Sequence, residues 1–298
     1  MTVADERRSD AAGVDGGAPV AIICGGGSLP FAVVEAALRR GRKVVLFALR
    51  GSADAQRVAG HPHHWVRLGQ LGRFVRLARA AGCRDVVMIG SLVRPRLVQL
   101  WPDYGAILLM PRLVGLFKGG DDRLLSGVAA IMAERGFKLI GAHELAPEIA
   151  MPFGALGRGE PNARDRADIE RGLALLRATG PFDVGQAVVV ADGRVLAIEA
   201  AGGTDAMLAH LSELRDRGRI RSRAGVGVLI KAPKPGQDRR IDLPSIGPQT
   251  VEGVARAGLA GIAIVAGSAV VAEPDRLAQA ADGARVFVVG IGGDEPAE

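Results

Sequence analysis

Two patterns of apolar residues alternate along this chain of 298 residues. Short runs of Val, Ile and Leu end at glycine, as buried strands do. Longer stretches place apolar residues every three or four positions, as one face of a helix does. Residues 19–24 are the first run, and Gly25-Gly26-Gly27-Ser28-Leu29-Pro30 follows at once. Helical spacing then takes over from 31 to 40. The pattern repeats with a strand at 43–49, a helix at 70–81 and a strand at 85–89 that ends in Gly90-Ser91. Residues 101–117 are apolar and helical in spacing. Asp121 or Asp122 then caps a helix running to about Arg135, and a strand is expected at 138–140. Strands alternating with helices imply a parallel sheet with right-handed crossovers.

Residues 147–164 break the rhythm with Pro147, Pro152, Gly154, Gly157, Gly159 and Pro161, and are read as a linker. An amphipathic helix at 165–179 opens the second half. Two apolar runs, 187–190 and 194–198, flank Asp192-Gly193, a strong hairpin signal. Helices are expected at 204–214, 249–257 and 274–281, and strands at 227–230, 261–265 and 285–289. Between them, 231–247 reads as a polar, proline-rich loop. The fold class is therefore α/β. Its parts are a disordered tail (1–18), an N-terminal domain (19–146), the linker, and a C-terminal α/β domain (165–292).

Composition narrows the function classes. Apolar residues make up 48% and charged residues 23%, the balance of a globular protein. Only 4% are aromatic and no run of five Lys/Arg occurs, so nucleic acid is not an expected partner. The net charge of +6 fits either scattered surface arginine or attraction to anions. Cys24 and Cys83 flank apolar runs and form no C-x-x-C pair, which suits buried thiols in a reducing cytoplasm. The N-terminus lacks the apolar core of a signal peptide. No apolar stretch approaches the ~20 residues that span a bilayer.

Five places could carry chemistry. The first is the glycine turn, where Gly26, Gly27 and Leu29 would meet a phosphate at a helix N-terminus. It does not fit G-x-G-x-x-G, because Pro30 holds the sixth position, and no acid follows the second strand. A plain tight turn is the alternative. The second is Ser91 with Arg94, beyond the carboxyl end of a strand, where Arg94 would clamp a phosphate or simply sit on the surface. The third is Lys118 with Asp121 and Asp122, a magnesium or phosphate corner or a helix cap. The fourth gathers Asp183, Gln186, Glu199, Thr204 and Asp205 around the hairpin, with capping again the alternative for the last two. The fifth is the segment from Lys231 to Thr250, with Lys234, Gln237, Asp238 and Asp242. Its prolines stiffen a loop carrying both charge signs, as a metal–phosphate site requires, with a plain solvated loop the alternative. His61, His63 and His64 match no metal-ligand spacing and are read as a surface loop, and His143 is a minor candidate.

Together GGGSLP, KGGDDRLL, GAHEL, DVGQAVVV, AIEA with GTDAM, and KPGQDRRIDLPSIGPQT resemble the two-domain UDP-2,3-diacylglucosamine pyrophosphatases of lipid A synthesis. The likeness runs from about residue 19 to 291. It implies a Rossmann-like N-terminal domain, a mixed α/β C-terminal domain, and a lipid cleft between them. It implies magnesium-dependent hydrolysis of the substrate to 2,3-diacylglucosamine 1-phosphate and UMP, with water attacking the α-phosphorus. Asp242 matches the aspartate expected to be essential. Asp238 and Asp205 are its candidate catalytic partners. Asp121, Asp122 and Asp242 are candidate ligands for Mg2+. Gly26, Gly27, Leu29, Ser91, Arg94, Lys118, Gln186, Glu199, Thr204, Lys231, Lys234, Gln237 and Thr250 are candidate substrate contacts. One departure stands out: the family's EGTD is GGTD here, with Gly202 in place of glutamate. The metallophosphoesterase motifs that serve the same reaction on another architecture are missing. A lipid substrate implies peripheral contact of a cytoplasmic protein with the inner membrane, and a homodimer is left open. The rival readings are a nucleotide-dependent oxidoreductase and a non-catalytic UDP-sugar- or lipid-binding protein.

Overall fold

The computed structural model describes residues 17–92, 102–107, 109, 112, 115, 121–234, 237–241 and 243–292; the side chains of 121–125 lie outside that description. The tail assigned to residues 1–18 therefore falls outside it, apart from Gly17 and Ala18.

The N-terminal region builds one five-stranded sheet from β1 (Val20–Cys24), β2 (Val44–Leu49), β3 (His63–Val66), β4 (Asp85–Ile89) and β5 (Lys138–Leu139). The order is β3-β2-β1-β4-β5, and every pairing is parallel. Such a sheet must be covered on both faces. On one face α1 (Leu29–Arg39) lays Phe31, Val33, Val34 and Ala37 over Ile22, Leu46 and Val87. On the other, α3 (Leu71–Ala80) and α5 (Asp121–Glu134) set Phe74, Val75, Ala129 and Met132 against Ala21, Phe47 and Val86. The short helices α2 (Ala55–Val58), α4 (Tyr104–Ile107) and α6 (Ala142–Leu145) join these parts.

β3 corrects the reading of the histidine segment as a loop. His63, His64 and Trp65 pair with β2 at the sheet edge. Edge strands tolerate polar side chains. The rings of His61 and His64 pack against Phe31 and Phe47, with centroids 6.4 and 5.5 Å apart.

The C-terminal region holds a six-stranded mixed sheet in the order β6-β13-β11-β9-β7-β8. Its strands are β6 (Gly154–Ala155), β7 (Ala187–Ala191), β8 (Arg194–Ile198), β9 (Val228–Lys231), β11 (Gly261–Val265) and β13 (Phe287–Ile291). β9, β11 and β13 run parallel, and β6, β7 and β8 join antiparallel. Alternate strand residues serve opposite cores. Val188, Val190 and Ile230 face α7 (Ala163–Thr179). Ala187, Val189 and Leu229 face α8 (Gly203–Asp216), α9 (Pro248–Arg256) and α10 (Pro274–Ala284). The hairpin turn has φ of 50° at Asp192 and 72° at Gly193, as a tight two-residue connection demands.

Residues 147–164, read as a linker, carry structure of their own. Ile149 is buried in the N-terminal core, Met151 in the C-terminal core, and β6 pairs with β13. The 231–247 segment is likewise more than a loop: β10 (Ser245–Ile246) pairs in parallel with β12 (Val270–Val271). Val270 and Leu243 pack into the N-terminal core beside α1, while Ile241 packs into the core on the opposite face of the same sheet. The C-terminal region thus grips both faces of the N-terminal one.

Candidate active site

Lys231 ends β9, a central strand flanked by β11 and β7. Only 5% of it is exposed. Its ammonium donates to Thr204 Oγ1 at 2.9 Å and to the Ser245 carbonyl at 3.1 Å. The Thr204 hydroxyl reaches Glu199 Oε1 at 2.8 Å, and the backbone N–H of Gln186 donates to Glu199 Oε2 at 3.0 Å. Close by in sequence, the Lys234 ammonium pairs with Asp183, and the Lys234 backbone N–H donates to Gln237 Oε1 at 3.0 Å. Gln186 connects the two groups, since its carbonyl accepts from Ala232 N at 3.1 Å. Its side-chain oxygen Oε1 is buried without a hydrogen-bond partner.

Seven of the sequence candidates therefore come together: Asp183, Gln186, Glu199, Thr204, Lys231, Lys234 and Gln237. The reason is topological. Glu199 follows β8, Gln186 precedes the antiparallel β7, and Lys231 ends β9, so three chain segments open at one end of the sheet. Asp183 joins them in a left-handed conformation, φ 51°. Aspartate tolerates that region better than most residues, but nothing in the sequence marked it as a partner of Lys234.

Other candidates fall elsewhere. Asp205 is exposed in the first turn of α8, although it neighbours Thr204. Consecutive helical residues point about 100° apart, so only Thr204 turns inward. Asp238 is clasped by Arg240, with Nε to Oδ1 at 2.9 Å and Nη2 to Oδ2 at 2.7 Å. The Arg240 guanidinium holds its carboxyl below the usual range against the opposing effect of partial burial. That pairing makes Asp238 a poor proton acceptor. Thr250 is buried, and its hydroxyl accepts from Gly247 N at 3.3 Å at the start of α9, a capping role. Gly202 precedes α8 at φ −76°, so the backbone angle does not demand glycine where the family has glutamate, although a Cβ there would lie 3.0 Å from that of Ala206.

Arg94, Lys118 and Asp242 lie outside the described residues. Asp121 and Asp122 open α5, and their side chains lie outside the description as well. Among the described residues no group of three His, Cys, Asp or Glu side chains could hold a metal. The carboxylates near Lys231 already have partners of their own: Glu199 serves Thr204 and Gln186, and Asp183 serves Lys234. The described side chains alone do not make a magnesium site.

The glycine turn has a structural purpose. Gly26 and Ser91 exchange backbone hydrogen bonds of 2.8 and 2.9 Å, tying β1 to β4 where the strand order reverses. A Cβ on Gly25 would lie 2.7 Å from the Ser91 carbonyl oxygen, and one on Gly26 2.8 Å from Ser91 Oγ. Gly27, at φ 88°, faces open space, and Leu29 is half-buried against the core. Ser91 itself is exposed. Cys24, at the end of β1, has its thiol pushed up to about 11 by burial, so it is inert.

A carboxylate from the other region approaches this turn. Glu273, with φ 54° at the start of α10, meets the Ser28 hydroxyl and pairs with Arg276. Burial pushes its carboxyl up, but Ser28, Arg276 and the charge of Arg57 outweigh that and hold it below its usual range. An anionic side chain at the N-terminus of α1 disfavours a second anion there. Pro274 signals the helix start, but no sequence feature indicates that Glu273 reaches across to Ser28.

Against known proteins the chain matches over most of its length. It is 39% identical over 270 residues to the UDP-2,3-diacylglucosamine pyrophosphatase LpxI of Caulobacter vibrioides, covering 91% of this chain and 96% of that protein. Among solved structures, the UDP-glucose 4-epimerase of Thermus thermophilus in complex with NAD shares 17% identity. That likeness covers 89% of this chain and 83% of the epimerase, but its TM-score of 0.31 carries no argument. Residues 19–149 match the LpxI N-terminal domain and residues 152–289 the LpxI C-terminal domain, and the chain belongs to the LpxI family.

Proposed function

We propose that this protein hydrolyses UDP-2,3-diacylglucosamine to UMP and 2,3-diacylglucosamine 1-phosphate; its Caulobacter relative is named a pyrophosphatase of that substrate. The observation that carries the chemistry is the buried ammonium of Lys231 at the open end of the C-terminal sheet, close in sequence to Lys234. A diphosphate is anionic and resists attack by water. Lysines held in a dry setting lower that barrier by matching the charge that spreads over the phosphate oxygens. Water attacks the α-phosphorus, its oxygen joins UMP, and the bond to the bridging oxygen breaks. The sugar 1-phosphate leaves with that oxygen. The resemblance assigns the essential role to Asp242, whose neighbours Ile241 and Leu243 are anchored on opposite faces of the N-terminal sheet.

Magnesium belongs to this proposal through the hard oxygen donors Asp121, Asp122 and Asp242 together with the diphosphate, the usual company of that ion. No step is derived through it. For the acyl chains, a hollow of about 400 Å³ lies between α5 and the 237–241 segment. Ala129, Phe137 and Leu139 give it an apolar floor, and Lys138, Asp238 and Arg240 stand at its rim. Peripheral contact with the inner membrane is supported by the exposed apolar side chains of Leu92, Tyr104 and Ile107. No described helix is long and apolar enough to cross a membrane.

The oxidoreductase reading is disfavoured by the glycine turn, which is filled by Ser91 and faced by the Glu273 carboxylate. The test is hydrolysis of UDP-2,3-diacylglucosamine with magnesium in heavy-oxygen water. Label is expected in UMP, with turnover lost in Asp242→Ala while the melting temperature holds. Ligand binding without UMP release would favour the non-catalytic binding protein instead.

A further inference from the structure

We propose that Glu199 and Thr204 are positioning residues, which fix the Lys231 ammonium in the place where it meets the diphosphate. This rests on the hydrolase reading and assigns Glu199 a different task from the substrate contact that its motif position suggested.

The donor and acceptor inventory sets the direction of the chain. A lysine ammonium can only donate, so Thr204 Oγ1 must accept from Lys231 across their 2.9 Å contact. The hydroxyl has one proton to give. A carboxylate only accepts, so that proton points to Glu199 Oε1, 2.8 Å away. The second oxygen of Glu199 takes the Gln186 N–H at 3.0 Å, which ties the carboxylate to the backbone ahead of β7. Both oxygens thus have internal donors in a residue that is only 9% exposed. Lys231 is fastened from the other side by the Ser245 carbonyl in β10, at 3.1 Å. Among the described contacts, the ammonium is tied to the backbone of β10 directly and to that ahead of β7 through Thr204 and Glu199.

A charged group on a flexible four-carbon stem stabilises a transition state only when its place is set before the reaction. Removing the Thr204 hydroxyl takes away an acceptor from Lys231 and a donor from Glu199 at once. Replacing Glu199 by glutamine leaves one acceptor for two donors, Thr204 O–H and Gln186 N–H, so one goes unpaired.

The experiment compares Thr204→Val, Thr204→Ser and Glu199→Gln in the full chain, using UDP-2,3-diacylglucosamine and magnesium, with melting temperatures for each. Valine keeps the shape of threonine and loses the hydroxyl, while serine keeps the hydroxyl and loses a methyl. We expect kcat to fall by about 10- to 100-fold in Thr204→Val and in Glu199→Gln, the size of a lost charge-assisted hydrogen bond, with KM moving much less. Thr204→Ser should retain kcat within about threefold. Near-normal kcat in Thr204→Val overturns the proposal. So does a Thr204→Ser variant as impaired as Thr204→Val at equal melting temperature, since shape would then matter and the hydroxyl would not. If a variant melts early, kcat per folded molecule is read below its transition, and the same two outcomes decide. A wild-type chain that releases no UMP refutes the hydrolase reading itself, a result distinct from a working enzyme indifferent to Thr204→Val.

Discussion

At the level of single residues, a buried carboxylate is informative only once its donors are known. Glu199 and Asp168 show this. Both are buried acids, yet Glu199 reaches toward the lysine cluster while Asp168 supports the hairpin. Asp168 is 2% exposed on α7 and accepts from Asp192 N at 3.0 Å and Gly193 N at 2.7 Å. It thereby holds the two turn residues whose φ angles are positive. Asp168→Ala should destabilise the protein by about 1–3 kcal/mol, the cost of losing charge-assisted hydrogen bonds from a buried acceptor. Asp168→Asn, with one acceptor left for two amides, should fall between. Urea denaturation measures both, and kcat per folded molecule should stay at the wild-type value. The sequence placed Glu199 among the candidates because it directly follows an apolar strand. It offered no such pointer for Asp168, which sits on a helix 24 residues away from the turn it serves. Nor did it separate Thr204 from Asp205, or show that Arg240 would take Asp238. Those distinctions depend on which way a side chain turns.

Among the elements, strands and helices with a clear apolar rhythm were legible, and the parallel order followed from their alternation. The missed elements were the strands β3, β6, β10 and β12 and the short helices α2 and α6. β3 is an edge strand that opens with two histidines, and the other three strands are two residues long, β10 and β12 pairing with each other and β6 with β13. The glycine turn was legible as a turn but not in purpose. If its glycines serve packing, Gly25→Ala must push a Cβ to 2.7 Å from the Ser91 carbonyl oxygen and 2.9 Å from the Gly90 carbonyl carbon. Both are backbone atoms that cannot step aside singly, so the β1–β4 junction has to open. Overpacking of this kind costs about 1–3 kcal/mol. Gly25→Ala should therefore lower the melting temperature of the free protein. If the glycine instead admits a ligand, that temperature would hold and only UDP affinity, read by titration calorimetry, would suffer.

For the whole molecule, the division into two regions could be read from the proline- and glycine-rich stretch near residue 150, but their docking could not. The docking depends on side chains far apart in the sequence: Ile241, Leu243 and Val270 in the N-terminal cores, Glu273 at Ser28, and Arg239 close to His143. His143 gives this junction a measurable property. Its Nδ1 is buried without a hydrogen-bond partner. Burial is the main cause holding its pKa below the usual 6.5; the Glu144 charge opposes the shift and the Arg239 charge adds to it. The folded protein thus keeps His143 neutral at a pH where the unfolded chain has begun to take up a proton. Proton binding then favours unfolding, so stability is full above pH 6.5 and declines as pH falls toward the lowered folded value. The carboxylates held below their usual ranges, Asp238, Glu148 and Glu273, lose their stabilising effect only in stronger acid. Between pH 7 and 5, His143→Gln should therefore melt with a flatter pH dependence than the wild-type protein. An equal slope in the two proteins would show that the proton taken up on unfolding in this range binds elsewhere, and that the junction around Arg239 and Glu144 is indifferent to the charge of residue 143.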